Sequence, residues 1–291
     1  MSICLNHATD LEIQGLFEGP LRGFALMEDR LAFLCHYFLD KPYLDGACGE
    51  GTEGKIDQNP LYRTDAFDCV TFVNLVLALI FSKDLQNFQS LLKKINYKEG
   101  KVGYENRHHF MSVDWNPANE QLGLIKPLTE TIKDAEGKPI FQMTEAWIDR
   151  PNWFRHRTLE AIKLPNAKAQ EKKAALDQLH QQAELMAGEK GKLSFCPLDK
   201  LFKEENADEF VLAQFPKAGV MEIVRPNWDL TRQIGTHLNI SHVGFILQQS
   251  GQLYFYHASS TPQKVVVCLL KDYLKSFLKH PTIRGVAIWT I

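Results

Sequence analysis

An almost wholly apolar run over residues 70–81 constrains the fold of this 291-residue chain more than any other feature. A helix that is apolar on nearly all sides has to be central and buried among other elements. The run opens at Cys69, directly after the polar, turn-prone segment 63–68. A cysteine at a helix start lies at the positive end of the helix dipole, beside unpaired backbone N–H groups. We therefore predict a lowered pKa for the Cys69 thiol, which favours a nucleophilic thiolate.

The second half of the chain has the pattern of an antiparallel sheet or small barrel. Short apolar runs alternate there with turn signals such as Ser250-Gly251 and Thr261-Pro262. The predicted strands are 221–224, 242–247, 253–256, 265–269 and 286–291, with one amphipathic helix near 273–278. Earlier helices are predicted at 24–39, 70–81 and 85–95. Helices first and sheet second indicate an α+β fold, with N-terminal helices packed on a C-terminal antiparallel sheet or small barrel.

Composition and charge narrow the classes of partner. Hydrophobic residues make up 45% and charged residues 23%, as in ordinary globular proteins, and the net charge is −2. No basic run interleaved with aromatics is present, so we expect no nucleic-acid partner. No stretch approaches the ~20 apolar residues of a membrane span, so we expect none. Residues 1–6 lack the basic and apolar parts of a signal peptide, which indicates either a cytoplasmic protein or a mature chain without its leader.

The cysteines and the paired histidines give little support for a metal site. The six cysteines are widely and irregularly spaced without a C-x-x-C pair, so neither a structural zinc site nor a disulfide scaffold is expected. Cys35 and Cys268 lie in apolar runs and are predicted to be small buried hydrophobes. His108 and His109 are weak metal candidates, because adjacent helical residues point about 100° apart and no carboxylate lies at a useful offset. We predict no metal and no cofactor.

Two strand histidines can complete the chemistry of a thiolate at Cys69. A thiol hydrolase needs a base that shares the thiol proton and a group that orients this base. Strand alternation puts His242 on one face with Gly244 and Ile246, which makes His242 the candidate base. His257 lies one hairpin later and is the orienting candidate. Each histidine alone is more often a satisfied core residue, but the three residues in this order favour the layout of a papain-like thiol hydrolase.

The segment before the helix supplies candidates for the rest of the site. The Cys69 backbone N–H is expected to contribute to an oxyanion hole, and Tyr62 is a candidate second donor. Asp65 and Asp68 are predicted to cap the helix start. Arg63 either holds a substrate carboxylate or pairs with Asp65. The predicted substrate-binding residues are Tyr62, Arg63, Asp65 and Ser241.

Three motifs resemble those of a known family. They are Tyr62-Arg63-Thr64-Asp65-Ala66-Phe67-Asp68-Cys69-Val70-Thr71, Ile240-Ser241-His242-Val243-Gly244-Phe245 and His257-Ala258-Ser259. The segment 107–115 also resembles this family. The sequence is similar to the NlpC-type, papain-like amidases of bacterial cell walls. Within them it resembles the N-acetylmuramoyl-L-alanine-amidase-like family, first catalogued as a domain of unknown function. The likeness extends from about residue 59 to the C-terminus.

The resemblance implies a papain-like NlpC-type fold and a Cys-His-His triad of Cys69, His242 and His257 that acts on peptidoglycan fragments. It also implies a single catalytic domain over residues 1–291. Its parts are a helical half with the nucleophile (about 20–100), a family-specific insertion (101–190) and a sheet half (215–291). We hypothesise that the aromatic-rich segment 104–154 forms a lid or wall for a sugar, with irregular packing as the alternative. Residues 164–188 are predicted to form an exposed helix.

One departure from the resembling endopeptidases bears on the bond that is cut. Those enzymes have Asp-Cys-Ser-Gly at the nucleophile, and the serine helps to bind the free amine of the L-Ala end of the stem peptide. This chain has Asp68-Cys69-Val70-Thr71, and Val70 cannot accept that hydrogen bond. Cleavage between N-acetylmuramic acid and L-Ala, which needs no free amine, is therefore favoured.

Three other functions stay open from the sequence. They are a γ-D-glutamyl-diamino-acid endopeptidase of the same fold, an acyltransferase with the same triad, and a non-catalytic module that binds a wall fragment or a protein partner. The resemblance implies a periplasmic or secreted location. Because no leader is visible in the sequence, a cytoplasmic location also stays open.

Overall fold

The computed structural model describes residues 2–291, and the side chains of residues 7–291. The side chains of segment 1–6, on which the expectation about a leader rests, lie outside this description. No helix within the described chain has both the length and the apolar character needed to cross a membrane.

Eleven α-helices and ten strands make up the described chain. The helices are α1 (Ser2–Glu18), α2 (Met27–Tyr37), α3 (Cys69–Phe81), α4 (Leu85–Asn96), α5 (Asn116–Gln121), α6 (Arg150–Arg155), α7 (Ala169–Gln182), α8 (Leu198–Leu201), α9 (Glu209–Leu212), α10 (Thr231–Ile234) and α11 (Leu270–Lys275). The strands are β1 (Lys126–Pro127), β2 (Gln142–Ile148), β3 (Glu189–Pro197), β4 (Phe202–Lys203), β5 (Asn206–Ala207), β6 (Ala218–Leu230), β7 (Thr236–Gln249), β8 (Gln252–Ser259), β9 (Lys264–Leu269) and β10 (Gly285–Thr290).

Helix α3 lies at the centre of the fold, as its apolar sequence predicts. Residues 72–80 are all buried. The helix packs against α2 and α4 on one side and against β7 and β8 on the other. Arg30 of α2 donates hydrogen bonds to the carbonyl oxygens of Leu79 (3.1 Å) and Ser82 (2.9 Å), which satisfies the C-terminal end of α3.

The main sheet is antiparallel and has the strand order β2-β3-β10-β6-β7-β8-β9, with β1 paired to β10. The five predicted strands are confirmed as β6 to β10, although β6 and β7 extend well beyond the predicted apolar runs. The predicted helices are found as α2, α3, α4 and α11. The fold is therefore α+β, with helices packed on a large antiparallel sheet.

Three strands of this sheet, β1, β2 and β3, come from the middle of the chain, where the sequence predicts none. The predicted order of helices first and sheet second is wrong at these strands. The signal for β2 is weak because its buried positions are Thr144, Ala146 and Ile148, whereas Met143 and Trp147 are exposed. The exposed helix predicted at 164–188 is shorter, because α7 starts at Ala169 and gives way to a 3₁₀ turn at Ala183–Leu185.

Side-chain hydrogen bonds curl one part of the sheet. Thr144 of β2 donates to Asn239 of β7 (3.2 Å), and Asn239 Nδ2 donates to the carbonyl oxygen of Gly191 in β3 (2.8 Å). The Asp149 N–H donates to Thr236 Oγ1 at the start of β7 (2.7 Å). Because β2 and β7 lie at positions one and five of the strand order, these contacts bend the intervening strands into part of a small barrel.

Glu222 is a fully buried carboxyl group in β6. Its Oε2 accepts hydrogen bonds from Trp289 Nε1 (3.0 Å) and Asn116 Nδ2 (3.1 Å). Its Oε1 is buried without a partner among the described residues. Burial raises the pKa of Glu222 to about 7, although the two hydrogen bonds act in the opposite direction.

We predict that Glu222→Gln stabilises the protein at pH 8 and has little effect at pH 4.5. A raised folded-state pKa means that the carboxyl contributes its full stability below the unfolded value of 4.5 and loses it as the pH rises through about 7. The difference should be on the order of 2–3 kcal/mol at pH 8, measured by urea unfolding. The exposed Glu184→Gln is the matched control, and an equal effect of Glu222→Gln at both pH values would contradict the assignment.

Candidate active site

Asp68 starts α3 and so fixes the position of Cys69. Asp68 Oδ1 accepts a hydrogen bond from the Thr71 N–H (2.8 Å), and Thr71 Oγ1 accepts one from the Asp68 N–H (2.9 Å). This reciprocal pair is a capping box, and it confirms the predicted capping role of Asp68. Asp68 Oδ2 also accepts a hydrogen bond from the Ala47 N–H (3.4 Å), which ties the preceding loop to the helix start.

The Cys69 thiol is a neutral group in the free protein. Desolvation raises its pKa to about 12, and the neighbouring Asp68 carboxylate acts in the same direction. Hydrogen bonds from the backbone N–H groups of Val243, Val70 and Cys69 itself lower the pKa by less. The predicted lowering of the thiol pKa is therefore wrong. The helix start does favour the thiolate, but the loss of water around the sulfur outweighs it.

Cys69 lies where β7 and β8 separate. The ladder between these strands runs from Gln249↔Gln252 to Phe245↔Tyr256 and ends there. Beyond this point the backbone N–H of Val243 hydrogen-bonds to the Cys69 sulfur instead of to β8. The thiol is thus held against β7, one residue along the chain from His242.

His242 and His257 bridge the gap between the separated strands. His242 Nε2 and His257 Nδ1 are 2.8 Å apart, and the ring planes meet at 85°. Both rings lie near Phe255, whose ring centroid is 6.2 Å from that of His242 and 4.7 Å from that of His257. The structure therefore brings the two predicted histidines together, while the Cys69 sulfur lies against Val243, the residue after His242.

A β-bulge in β7 sets the direction of His242. His242 pairs with Ile223 and Ile240 pairs with Val224, so Ser241 is an extra residue in the strand. Ser241 Oγ donates to the carbonyl oxygen of Ile223 at 3.5 Å, the long end of the hydrogen-bond range. Ser241 thus shapes the backbone beside His242, and its substrate-binding role stays a prediction.

The two imidazole rings are neutral at pH 7. Burial lowers the pKa of His242 to about 4. Burial, together with the charge of His242, lowers the pKa of His257 to about 3. In the tautomer in which His242 Nε2–H donates to His257 Nδ1, the Nδ1 of His242 is the ring nitrogen left as an acceptor. His242 can then take the proton of a neutral thiol as a general base.

Two tyrosines that the sequence analysis does not single out lie within reach of the Cys69 charge. Burial raises the pKa of Tyr43 to about 12 and also raises the pKa of Tyr273, and a charge on Cys69 adds to both shifts. A backbone bridge to Phe67 brings Tyr43 to the site. The Tyr273 ring centroid is 5.0 Å from that of His257. Neither tyrosine lies in a motif, so only the folded chain identifies them.

Comparison with known proteins shows the family of this chain. Residues 34–282 match the family described as AmiA-like, N-acetylmuramoyl-L-alanine amidase-like. The chain belongs to this family. The crystal structure of a Legionella pneumophila str. Philadelphia 1 protein of family DUF1460 is 37% identical, with 100% of this chain and 96% of that chain covered and a TM-score of 0.96.

A more distant solved structure shares the fold of this amidase-like chain. It is an N-acetylmuramoyl-L-alanine amidase from Bacteroides uniformis ATCC 8492, 20% identical, with 91% of this chain and 98% of that chain covered and a TM-score of 0.62. None of the curated proteins matches the chain.

Three predicted substrate-binding residues of the amidase-like chain are engaged within the protein. Tyr62 Oη donates its proton to Asp10 of α1 and accepts a hydrogen bond from Gln89 Nε2 (2.6 Å). Tyr62 is therefore not placed as an oxyanion donor. Arg63 donates from Nε and Nη2 to the two carboxylate oxygens of Asp65, at 2.7 Å each. Of the two alternatives for Arg63 the structure shows this ion pair, and the predicted capping role of Asp65 is wrong.

A buried cluster of charged residues holds the loop that leads to α3. Glu50 Oε2 accepts a hydrogen bond from the Asp57 N–H (2.6 Å), and its Oε1 accepts one from the Tyr104 N–H (3.2 Å). Arg107 donates to Asp57 (3.3 Å) and to the carbonyl oxygen of Cys48. The cluster joins residues far apart in sequence, so composition alone predicts a loop but not its internal order.

The aromatic-rich segment 104–154 packs largely on itself. Tyr104, Phe110, Trp153 and Phe154 are buried together, with ring centroids of Phe110 and Trp153 5.2 Å apart. These rings are not free to stack on a sugar, so the hypothesis of a sugar-binding wall is not supported for them. Trp147 is the exception in this segment, with 49% of its surface exposed.

His108 and His109 each contact a backbone carbonyl oxygen through one ring nitrogen. His108 Nδ1 lies 2.9 Å from the carbonyl oxygen of Ile95, and His109 Nε2 lies 2.7 Å from that of Tyr104. Burial lowers the pKa of His109 well below its usual value, with the charge of Arg107 acting in the same direction. These contacts anchor the chain after the loop cluster.

We predict that alkylation of Cys69 by iodoacetamide is slow at pH 7 and accelerates about tenfold per pH unit up to pH 10, because only the thiolate reacts. Asp68→Asn should raise the rate, since asparagine keeps the cap and removes the charge that raises the thiol pKa. Peptide mapping by mass spectrometry follows the Cys69 peptide, with Cys69→Ser as the blank. A rate that is already constant below pH 7 would show a thiolate in the free protein.

Proposed function

We propose that this chain is a cysteine amidase that cleaves the amide between N-acetylmuramic acid and L-Ala in peptidoglycan fragments, through Cys69, His242 and His257. Membership of the amidase-like family supports this reaction. The Bacteroides uniformis neighbour carries the same enzyme name on a similar fold. The observation that carries the proposal is the His242–His257 pair, 2.8 Å apart, next in the chain to Val243, whose N–H faces the Cys69 sulfur.

The proposed reaction begins with proton transfer from the Cys69 thiol to His242 Nδ1 as the sulfur attacks the lactyl carbonyl carbon. His257 keeps the His242 ring oriented through Nε2 and stabilises its protonated form. The Cys69 backbone N–H can donate to the developing oxyanion. Tyr43 takes the place of Tyr62 as the candidate second donor, because a charge on Cys69 reaches it.

The intermediate then collapses into two products. The carbon–nitrogen bond breaks, and the L-Ala nitrogen leaves with the proton from His242, so the peptide is released with a free amine. The sugar part remains as a thioester on Cys69. Water attacks this thioester while His242 accepts its proton, and the cleaved thiolate recovers a proton to regenerate the thiol.

We further propose that the fold is of the papain-like NlpC type. The arrangement in its support is a cysteine at the start of a buried helix, packed on an antiparallel sheet that carries two histidines on adjoining strands. The helix α3 and strands β7 and β8 supply these parts in the order expected from the resemblance.

The environment of Val70 supports cleavage at the sugar–peptide bond. Val70 is half-buried and packs against the core cluster around α3. It offers no side-chain acceptor next to Cys69 for a free L-Ala amine. A substrate whose L-Ala nitrogen is acylated by the lactyl group needs no such acceptor, which favours the amidase over the endopeptidase.

We predict that wild-type protein converts purified muropeptides into free sugar and an intact stem peptide, as read by mass spectrometry. Cys69→Ala should lower the rate by at least about 10³-fold, because it removes the nucleophile. His257→Gln should lower kcat on the order of 10²-fold by disturbing the His242 tautomer. The exposed His7→Ala serves as the matched control.

Each other outcome of this digest has a distinct meaning. A cut inside the stem peptide would move the assignment to the endopeptidase. Transfer of the sugar part to an added amine would indicate an acyltransferase. Full activity of Cys69→Ala would exclude the cysteine mechanism, and no cleavage by folded wild-type protein would favour a binding module. Thermal unfolding of each variant separates lost chemistry from lost structure.

A further inference from the structure

Arg225 differs from the other half-buried arginines of the described chain. Each of the others donates to an oxygen acceptor: Arg30, Arg63, Arg107, Arg150 and Arg157. Within residues 7–291, the Nε of Arg225 is buried and has no hydrogen-bond partner. Its guanidinium stacks on Trp228, with Cζ 4.1 Å from the ring centroid. No oxygen of the described residues accepts a hydrogen bond from the Nη groups of Arg225, so these groups are free to donate to an anion.

The strand pairing places Arg225 near the candidate base. Arg225 lies on β6, two residues beyond Ile223, and Ile223 pairs with His242 across the sheet. Alternate residues of a strand share a face, so Arg225 lies on the face of Ile223 and His242. Two residues of a strand span about 7 Å. The guanidinium is therefore within reach of a substrate whose reacting bond lies beside His242.

An open cavity lies beside Pro226, the residue that follows Arg225 in the chain. A cavity of about 840 Å³ has Pro226, Lys279 and Arg284 in its lining. Its acidic lining residues are Asp199, Glu204 and Glu205. Glu205 is already paired with Lys275 (3.4 Å) and Lys279 (3.9 Å). Burial and then the charges of Arg225 and Arg284 lower the pKa of His280, so both arginines lie near this imidazole.

We propose that Arg225 binds a carboxylate on the peptide side of the substrate, the α-carboxylate of the γ-linked glutamyl residue that follows L-Ala. This inference rests on the proposed function. The lactyl carboxyl is consumed in the scissile amide and the sugar rings carry no charge, so the negative charge lies on the peptide. A glutamyl residue linked through its γ-carboxyl keeps its α-carboxylate free, one residue beyond the scissile bond.

The chemistry and the spacing of this carboxylate fit Arg225. In an extended substrate, the scissile carbonyl carbon and the carbon of the α-carboxylate are separated by the length of about two residues, roughly 7 Å. This is similar to the separation of Ile223 and Arg225 along β6. The planar guanidinium can donate two parallel hydrogen bonds to a carboxylate, which a lysine cannot do. A neutral α-carboxamide at the same place would leave the charge of Arg225 unpaired.

The test compares two muropeptides that differ only at this group, the free α-carboxylate and its α-carboxamide. Wild-type protein should show a higher kcat/KM for the acid. Arg225→Gln should lower kcat/KM for the acid about 10- to 100-fold and bring the acid-to-amide ratio to within about threefold of one. The kcat/KM of Arg225→Lys for the acid should fall between the values of wild type and Arg225→Gln. The exposed Arg232→Gln should have the kcat/KM of wild type.

A binding experiment separates this inference from the proposed function. Calorimetry measures the affinity of the dipeptide L-Ala-γ-D-Glu for Cys69→Ala and for Cys69→Ala with Arg225→Gln. Binding that depends on Arg225 supports the carboxylate site even if wild type cleaves no muropeptide, which would overturn the amidase alone. Three results would overturn the site. Arg225→Gln could lower kcat/KM equally for the acid and the amide, or it could keep the wild-type preference for the acid. The dipeptide could also fail to bind, or bind equally well with and without Arg225.

Discussion

The packing of the apolar helix α3 across β7 and β8 is the constraint on which the candidate site depends. The helix start reaches the sheet where the ladder between these strands ends, at Phe245↔Tyr256. A strand N–H that would otherwise bond to β8 is then available to the Cys69 sulfur. The two histidines close the gap with a side-chain hydrogen bond. The thiol and the two histidines, which are the candidate base and orienting group, therefore all derive their positions from the contact of α3 with β7 and β8.

The burial that builds this site also decides its protonation state. It raises the pKa of the Cys69 thiol and lowers the pKa values of His242 and His257, so all three groups are neutral at pH 7. A neutral thiol beside a neutral imidazole favours proton transfer during attack over a preformed ion pair. Asp68 contributes to the neutral state of the thiol. It caps α3, and its negative charge also opposes the ionisation of Cys69, the first residue of that helix.

The sequence predicts the parts of this protein whose signal is local, and misses those that depend on distant residues. The continuous apolar run of α3 and the alternation of β7 are strong local patterns, so the helix with Cys69 and the strand with His242 can be found from sequence. Strand β2 buries a threonine and an alanine and exposes larger apolar side chains, so its sequence lacks a clear hydrophobic alternation. The Tyr62 contact with Asp10 and the Arg107 contact with Asp57 join segments about 50 residues apart, and no spacing rule predicts them.

Glu222 and Arg225 show two ways in which one strand holds an incompletely paired ionisable group. Glu222 is enclosed among Asn116 and Trp289, and its carboxyl can meet the cost of burial by taking up a proton. A guanidinium cannot lose its charge at any ordinary pH, although burial lowers the pKa of Arg225. Stacking on Trp228 covers one face of Arg225 but supplies no acceptor for its N–H groups. The glutamate can therefore be neutralised within the fold, whereas the arginine keeps its charge and leaves its Nη groups available to an anion from outside the described chain.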